Sequence, residues 1–294
     1  MLIRPISENQ AAIEVKECYQ QIKNALGSPT LPVFFTYIGA FPEYLSYITE
    51  QLVRNLEEPS FRELVAKLND QVINQIREKL AKSEETIDWI SRYRNQPTFY
   101  YFQKDLKVIS LTNVKLACVF VGLREAVKGW AVAAKKLPSQ TSQAKRKVEE
   151  SVKTERFIFD SALLGKYQNI KSEVKIKNHS VANTEESLSP VKNRLIKATP
   201  RELTKNLLPE YLQLCNLDFR RLIKKDFFWI LRLQLEKQVL ATLENFPHLI
   251  FSPFNVIVNL TQKYDNFSEL LYLLSDQFPT LVIQRLMFGG YLII

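Results

Sequence analysis

Asp218 and Asn113 are the side chains of this sequence whose type and setting best suit chemistry on a small polar substrate. Asp218 stands in Asn216-Leu217-Asp218-Phe219-Arg220-Arg221-Leu222. At a helix start its carboxylate would be held ionised, as a general base must be. The same setting fits a plain helix cap, whose side-chain oxygen satisfies the first free amides. Asn113 repeats the ambiguity. Thr112-Asn113 precedes the apolar run Val114, Leu116, Ala117, Val119 and Phe120, so its amide reads either as a cap or as a group that orients a water or substrate.

Other chemistries find little support. His179 and His248 have no Cys or carboxylate at metal-ligand spacing, and no GxSxG or Ser/His/Asp arrangement accompanies them. Neither a metal nor a cofactor is expected. Cys18, Cys118 and Cys215 are far apart and odd in number, which gives neither a disulfide framework nor a CxxC motif. Carboxylates and amides remain.

The elements that must position Asp218 and Asn113 read as helices. Gln10 to Leu26 carries apolar residues at three- and four-residue intervals and closes at Gly27 and Pro29. A helix is expected from Phe34 to Leu45, interrupted or kinked at Pro42 and continuing to Pro59, and another over Phe61 to Ala81. Ser83 with Thr86 begins a short helix, Pro97 precedes the aromatic cluster Phe99 to Phe102, and Asn113 to Ala134 forms the most apolar helix of the first half. In the second half, helices are expected over Leu203 to Leu214, from Asp218 onward, over Ile223 to Leu243, Phe267 to Leu274 and Pro279 to Ile294.

Two stretches look like variants of one another. Leu31-Pro32-Val33-Phe34-Phe35-Thr36-Tyr37-Ile38 leads into Phe41-Pro42-Glu43-Tyr44-Leu45, and Leu217-Asp218-Phe219-Arg220-Arg221-Leu222-Ile223 leads into Phe227-Phe228-Trp229-Ile230. Aligned at Phe34 and Phe219, they set Val33 opposite Asp218, as in a duplicated unit of which one copy carries the acid. Residues 1–136 and 201–294 are therefore expected to be two pseudo-symmetric helical repeats around a central cleft. Phe34, Tyr37, Leu217 and Phe219 are its expected substrate-binding residues.

Composition agrees with an all-α class: among 294 residues, 46% are hydrophobic and only 7 are Gly, and no Asn-Gly or Asp-Gly hairpin signal occurs. The net charge of +9 invites a nucleic-acid reading. Residues 137–200, however, hold nine Lys and three Arg against six Glu and one Asp, so 12 − 7 = +5 of it lies in one polar stretch. That stretch reads as a basic, partly disordered connector with one apolar segment, Phe157 to Leu164, and no specific nucleic-acid motif accompanies it. No leader pattern and no uninterrupted apolar run of about 18 residues is seen, so a cytoplasmic protein without a transmembrane segment is expected, and a homodimer is compatible with it.

At Tyr19-Gln20-Gln21-Ile22-Lys23, Leu31-Pro32-Val33-Phe34-Phe35, Phe41-Pro42-Glu43-Tyr44-Leu45, Asn113-Val114-Lys115-Leu116 and Asn216-Leu217-Asp218-Phe219-Arg220, the chain resembles the group I 2-haloacid dehalogenases. This resemblance implies a helical fold of two repeats and a hydrolase of short 2-halo carboxylic acids. It also implies that Asp218 activates a water to displace halide at Cα without a covalent ester, and that Asn113 helps position that water. The chain has Phe35 where the family often has Arg, and Val114 where it typically has Pro. These departures and the Lys-rich connector motivate an alternative, a non-catalytic helical scaffold that binds a ligand or partner.

Overall fold

The computed structural model describes residues 3–136 and 207–294, and every regular element among them is helical. The expected connector, 137–200, lies outside the described residues. The first stretch forms α1 (Ile13–Leu26), α2 (Val33–Ile38), α3 (Pro42–Glu57), α4 (Pro59–Lys79), α5 (Glu84–Tyr93) and α6 (Pro97–Lys136). The second forms α7 (Leu207–Leu222), α8 (Asp226–Thr242), α9 (Phe254–Lys263), α10 (Phe267–Tyr272) and α11 (Phe278–Leu292). The all-α expectation holds.

Local signals explain most of the ends. Gly27 closes α1 with φ 69, the left-handed conformation that a residue without Cβ adopts at least cost, and its N–H returns to the Asn24 carbonyl. Pro42 does not kink a helix; it stands in the first turn of α3, where its missing N–H goes unused. The break before it falls at Gly39. A Cβ there would lie 1.7 Å from the Tyr19 hydroxyl, which donates to the Ile6 carbonyl at 2.9 Å.

Two expected helix starts are corrected. Asn113 lies inside α6, a single helix of 40 residues, and Asp218 lies inside α7, four residues before its end. In α6 the polar pair is tolerated because the Thr112 hydroxyl returns to the Val108 carbonyl at 2.9 Å, as helical Thr commonly does. Asn113 is buried against α11. In α7 the Asp218 carboxylate finds partners outside its own helix, so it has no need of a local amide.

The core is built on α6 and α11, whose pairing is the most extensive in the molecule. Every residue of α11 except Thr280 is buried, and α6 contributes Phe102, Leu106, Val114, Ala117, Phe120, Val121 and Leu123. Each large apolar side chain removed from water in this way contributes roughly 1.5–3 kcal/mol before entropy is counted. One cluster of buried residues draws on both stretches of the chain. Over Pro97–Lys128, α6 is long and apolar enough to cross a membrane, but 72% of its apolar window is buried inside the bundle, as a core helix is.

α10 and α11 follow one another through a π-helical turn, Leu273–Gln277. Pro279 explains it: proline cannot donate to the carbonyl four residues back, and its ring crowds that carbonyl, so the preceding turn widens. The result sets Phe278 against Phe34, Tyr37 and Phe120, at centroid distances of 5.2, 5.7 and 5.7 Å.

Candidate functional site

Asp218 sits where α7, the start of α5 and the end of α11 meet, and is 4% exposed. Its Oδ2 accepts three hydrogen bonds: from the Ser83 backbone N–H at 3.2 Å, the Thr86 hydroxyl at 2.8 Å and the Tyr291 hydroxyl at 3.0 Å. Among the described residues, its Oδ1 faces the Arg221 guanidinium, at 3.9 Å, and that arginine is exposed and shared with Glu85 at 3.6 Å. Burial pushes the carboxyl pKa up, but the donors from Ser83, Thr86 and Tyr291 outweigh it and hold the group below the usual carboxylate value. Asp218 is an internal anion with one oxygen saturated and the other available.

Sequence explains each donor. Ser83 is the cap of α5 and accepts from the Thr86 N–H at 3.3 Å, so both hydroxyls are fixed at a helix start that favours an anion. Tyr291 lies one position from the end of α11; the same hydroxyl is 3.2 Å from the Ala81 carbonyl. Its single proton favours the charged acceptor.

A cation complements the other helix end. Lys82 donates to the Tyr291 carbonyl in the last turn of α11, with its ammonium 4.1 Å from the Tyr291 ring centroid and 5.8 Å from that of Tyr211. The Tyr211 hydroxyl donates to the Leu292 carbonyl at 2.9 Å. Two carbonyls that the helix leaves open are therefore satisfied from outside. Burial lowers the Lys82 pKa, and the Asp218 carboxylate opposes that. Cys215 is buried in the same junction with its thiol pushed up to about 12, first by burial, so it is neutral.

Asn113 occupies a different place. It is 6% exposed and packs against Gly289: a Cβ on that glycine would lie 2.8 Å from the Asn113 Nδ2 and 3.3 Å from the Ser110 Cα. The buried Ser110 hydroxyl donates to the Asn69 carbonyl oxygen at 2.7 Å. Arg285, one turn before Gly289 on α11, is also buried, its guanidinium 5.7 Å from the Phe34 ring centroid. Asn113 thus meets α11 at Gly289 and Asp218 meets it at Tyr291. Positions two apart on a helix point about 200° apart, so the two side chains address opposite faces of α11.

The expected substrate contacts are also separated, chiefly along α11. Phe34 and Tyr37 share Phe278 near the start of α11, and Phe34 is fully buried. Phe219 lies 5.2 Å from Phe288 and 6.1 Å from Tyr291, beside the Asp218 junction. Leu217 is 46% exposed. No local spacing in the sequence points to Tyr291, Lys82, Tyr211 or Arg285, and Ser83 with Thr86 reads there only as a helix start. Among the described residues, no group of His, Cys, Asp and Glu side chains could hold a metal ion. A depression of about 390 Å³, open to solvent, is lined by Ser7, Glu8, Asn9, Leu31 and Thr36, none of them an expected site residue.

No protein-family profile and no curated protein matches the sequence. Among solved structures, the chain is similar to a D-2-haloacid dehalogenase mutant in complex with D-2-CPA, with 12% identity and a TM-score of 0.61. The match covers 99% of this chain and 95% of that one. At this identity the likeness is one of fold: the chain shares the helical architecture of a haloacid dehalogenase.

Proposed function

We propose that this chain is a hydrolase that acts on short carboxylic acids carrying a leaving group at Cα, with Asp218 activating the attacking water and no cofactor taking part. The observation that carries the reading is the asymmetry of the Asp218 carboxylate. Three donors fix Oδ2, which leaves Oδ1 as the basic oxygen in a set direction within a buried setting. In the reaction, Oδ1 takes a proton from water as the oxygen attacks Cα, and the halide departs with the electron pair of the C–X bond. The products are a 2-hydroxy acid, halide and a proton. The likeness in fold to a haloacid dehalogenase over nearly the whole chain supports the same reading. Phe219 and Leu217, on the Asp218 helix, are the proposed apolar contacts; Phe34, Tyr37 and Asn113 meet α11 elsewhere, at Phe278 and Gly289, and take no part in this proposal. The two-repeat organisation, 1–136 and 201–294, belongs to this proposal, as does a cytoplasmic setting.

A second reading has its own support. The bonds to Oδ2 tie α5, α7 and α11 together, a depressed pKa weakens a base, and Asn113 addresses another face of α11 than Asp218 does. A scaffold that has kept the acid as a clamp would look like this. Halide release from 2-chloro- and 2-bromopropanoate, measured for the parent protein and Asp218→Asn, separates the two. The hydrolase reading expects release that vanishes in the folded variant. Absence of release from the parent, with Asp218→Asn only lowering stability, would establish the scaffold.

A further inference from the structure

The inner face of α8 supplies Phe228, Leu231, Leu235 and Val239 to the core, yet its outer face is also apolar. Phe227, Trp229, Ile230, Leu233 and Leu240 are 45%, 40%, 57%, 52% and 37% exposed. On a 3.6-residue helix, Ile230, Leu233, Lys237 and Leu240 run along one outward strip, with Phe227 and Trp229 flanking its first turn. A helix with large apolar side chains on its open side as well as on its core side calls for a second apolar medium.

The residues just before this helix say which medium. Arg220, Arg221, Lys224 and Lys225 are exposed at the end of α7 and in the turn, and Lys237 rises within the strip. Arg221 faces Glu85 at 3.6 Å and Asp218 at 3.9 Å, and Lys224 and Lys225 lie beside Asp226. Trp229 is prepared for an apolar setting: its indole N–H donates to the Ile223 carbonyl at 2.9 Å, so the ring can leave water without stranding a donor. Large apolar groups on one helix side beside a cluster of Lys and Arg are the features with which a helix lies in the plane of an anionic bilayer.

We propose that the outer face of α8, with the basic turn at 220–225, is a docking surface for anionic lipid membranes. Ile230, Leu233 and the Trp229 ring enter the boundary between headgroups and acyl chains, and Lys224 and Lys225 meet lipid phosphates. The association is peripheral and reversible, falls with ionic strength, and leaves the Asp218 junction unaltered.

The test is co-sedimentation of the full chain with phosphatidylcholine vesicles, with and without about 30% phosphatidylserine, at low and moderate salt. Binding is expected only with phosphatidylserine, together with a blue shift in tryptophan emission that Trp229→Phe abolishes. Ile230→Glu/Leu233→Glu and Lys224→Glu/Lys225→Glu are each expected to weaken binding roughly tenfold or more. All four positions are exposed, and circular dichroism checks that the helices remain. Binding that persists unchanged in both double variants would assign it to the basic stretch 137–200 and overturn the proposal. So would a lack of binding by the parent. Sedimentation velocity would then tell whether a second copy covers the face, as a dimer that Ile230→Glu/Leu233→Glu dissociates.

Discussion

The Tyr291 hydroxyl donates to Oδ2 of Asp218 at 3.0 Å, joining the last turn of α11 to α7 across 73 residues of sequence. Neither residue is conspicuous locally: Asp218 lies inside a helix and Tyr291 near the end of an apolar one. Their meeting gives the carboxylate its direction. Tyr291→Phe keeps the ring beneath the Lys82 ammonium and removes only the donor. It is expected to lower stability by about 1.5–3 kcal/mol, the usual worth of a hydrogen bond to a charged group. Urea unfolding at neutral pH measures the loss, and a change below about 0.5 kcal/mol would show that the bond is not formed.

Acid should uncover the same junction. The Asp218 pKa is depressed in the folded state, so its ionisation stabilises the protein at any pH above the unfolded value of about 4. The contribution is lost as pH falls from there through the folded value. Comparing unfolding free energies of the parent and Asp218→Asn between about pH 6 and pH 2, the gap between them should narrow on acidification. A gap that widens would mean that the folded carboxyl is raised instead.

Asn113 and Gly289 should be energetically coupled. Gly289→Ala places a methyl 2.8 Å from the Asn113 amide nitrogen and 3.3 Å from the Ser110 backbone, and an overpacked core costs about 1–3 kcal/mol. Adding Asn113→Ala should recover part of that loss, because the closer obstacle disappears. A double-mutant cycle with thermal or urea unfolding reads the coupling, and strict additivity would contradict the contact.

Gly39→Ala should be worse tolerated than Gly289→Ala. Its new Cβ would lie 1.7 Å from the Tyr19 hydroxyl, which cannot move without giving up its bond to the Ile6 carbonyl. Tyr19→Phe in the same chain should relieve part of the effect, since the ring carbon that bore the hydroxyl still lies 2.7 Å from the new Cβ. Midpoints of urea unfolding for the two single variants and the pair would check this.

How much of this could be read beforehand depends on the range of the signal. Gly27, Ser83 and the proline at Pro42 mark helix ends through geometry confined to one turn, and the structure uses each at or beside a helix end. The Thr112-Asn113 and Asn216-Leu217-Asp218 stretches carry the same local chemistry but lie within helices. The Asp218 carboxylate is satisfied from other helices and the Thr112 hydroxyl by a back-bond within its own, and so neither helix need stop there. Asp218 was identifiable as an acid worth following. Its donors, 135, 132 and 73 residues away, were not, since no spacing encodes partners brought together by the fold.

The spread of the expected site residues along and around α11 has a similar origin. Aligning Phe34 with Phe219 compares two residues that do pack on the same helix, Phe34 on Phe278 and Phe219 on Phe288 and Tyr291. Sequence alignment carries no information about which side of that helix each approaches. The facing comes from the register of α6 and α7 against α11, set by packing of whole helices.

The most direct test of the proposed chemistry is a single turnover of 2-chloropropanoate by excess protein in water labelled with heavy oxygen. If Asp218 activates water, the released 2-hydroxy acid carries the label after one turnover, Asp218 stays unlabelled, and Asp218→Asn releases no halide. Unlabelled product with label in the Asp218 carboxylate, or no halide from the parent protein, would contradict the account.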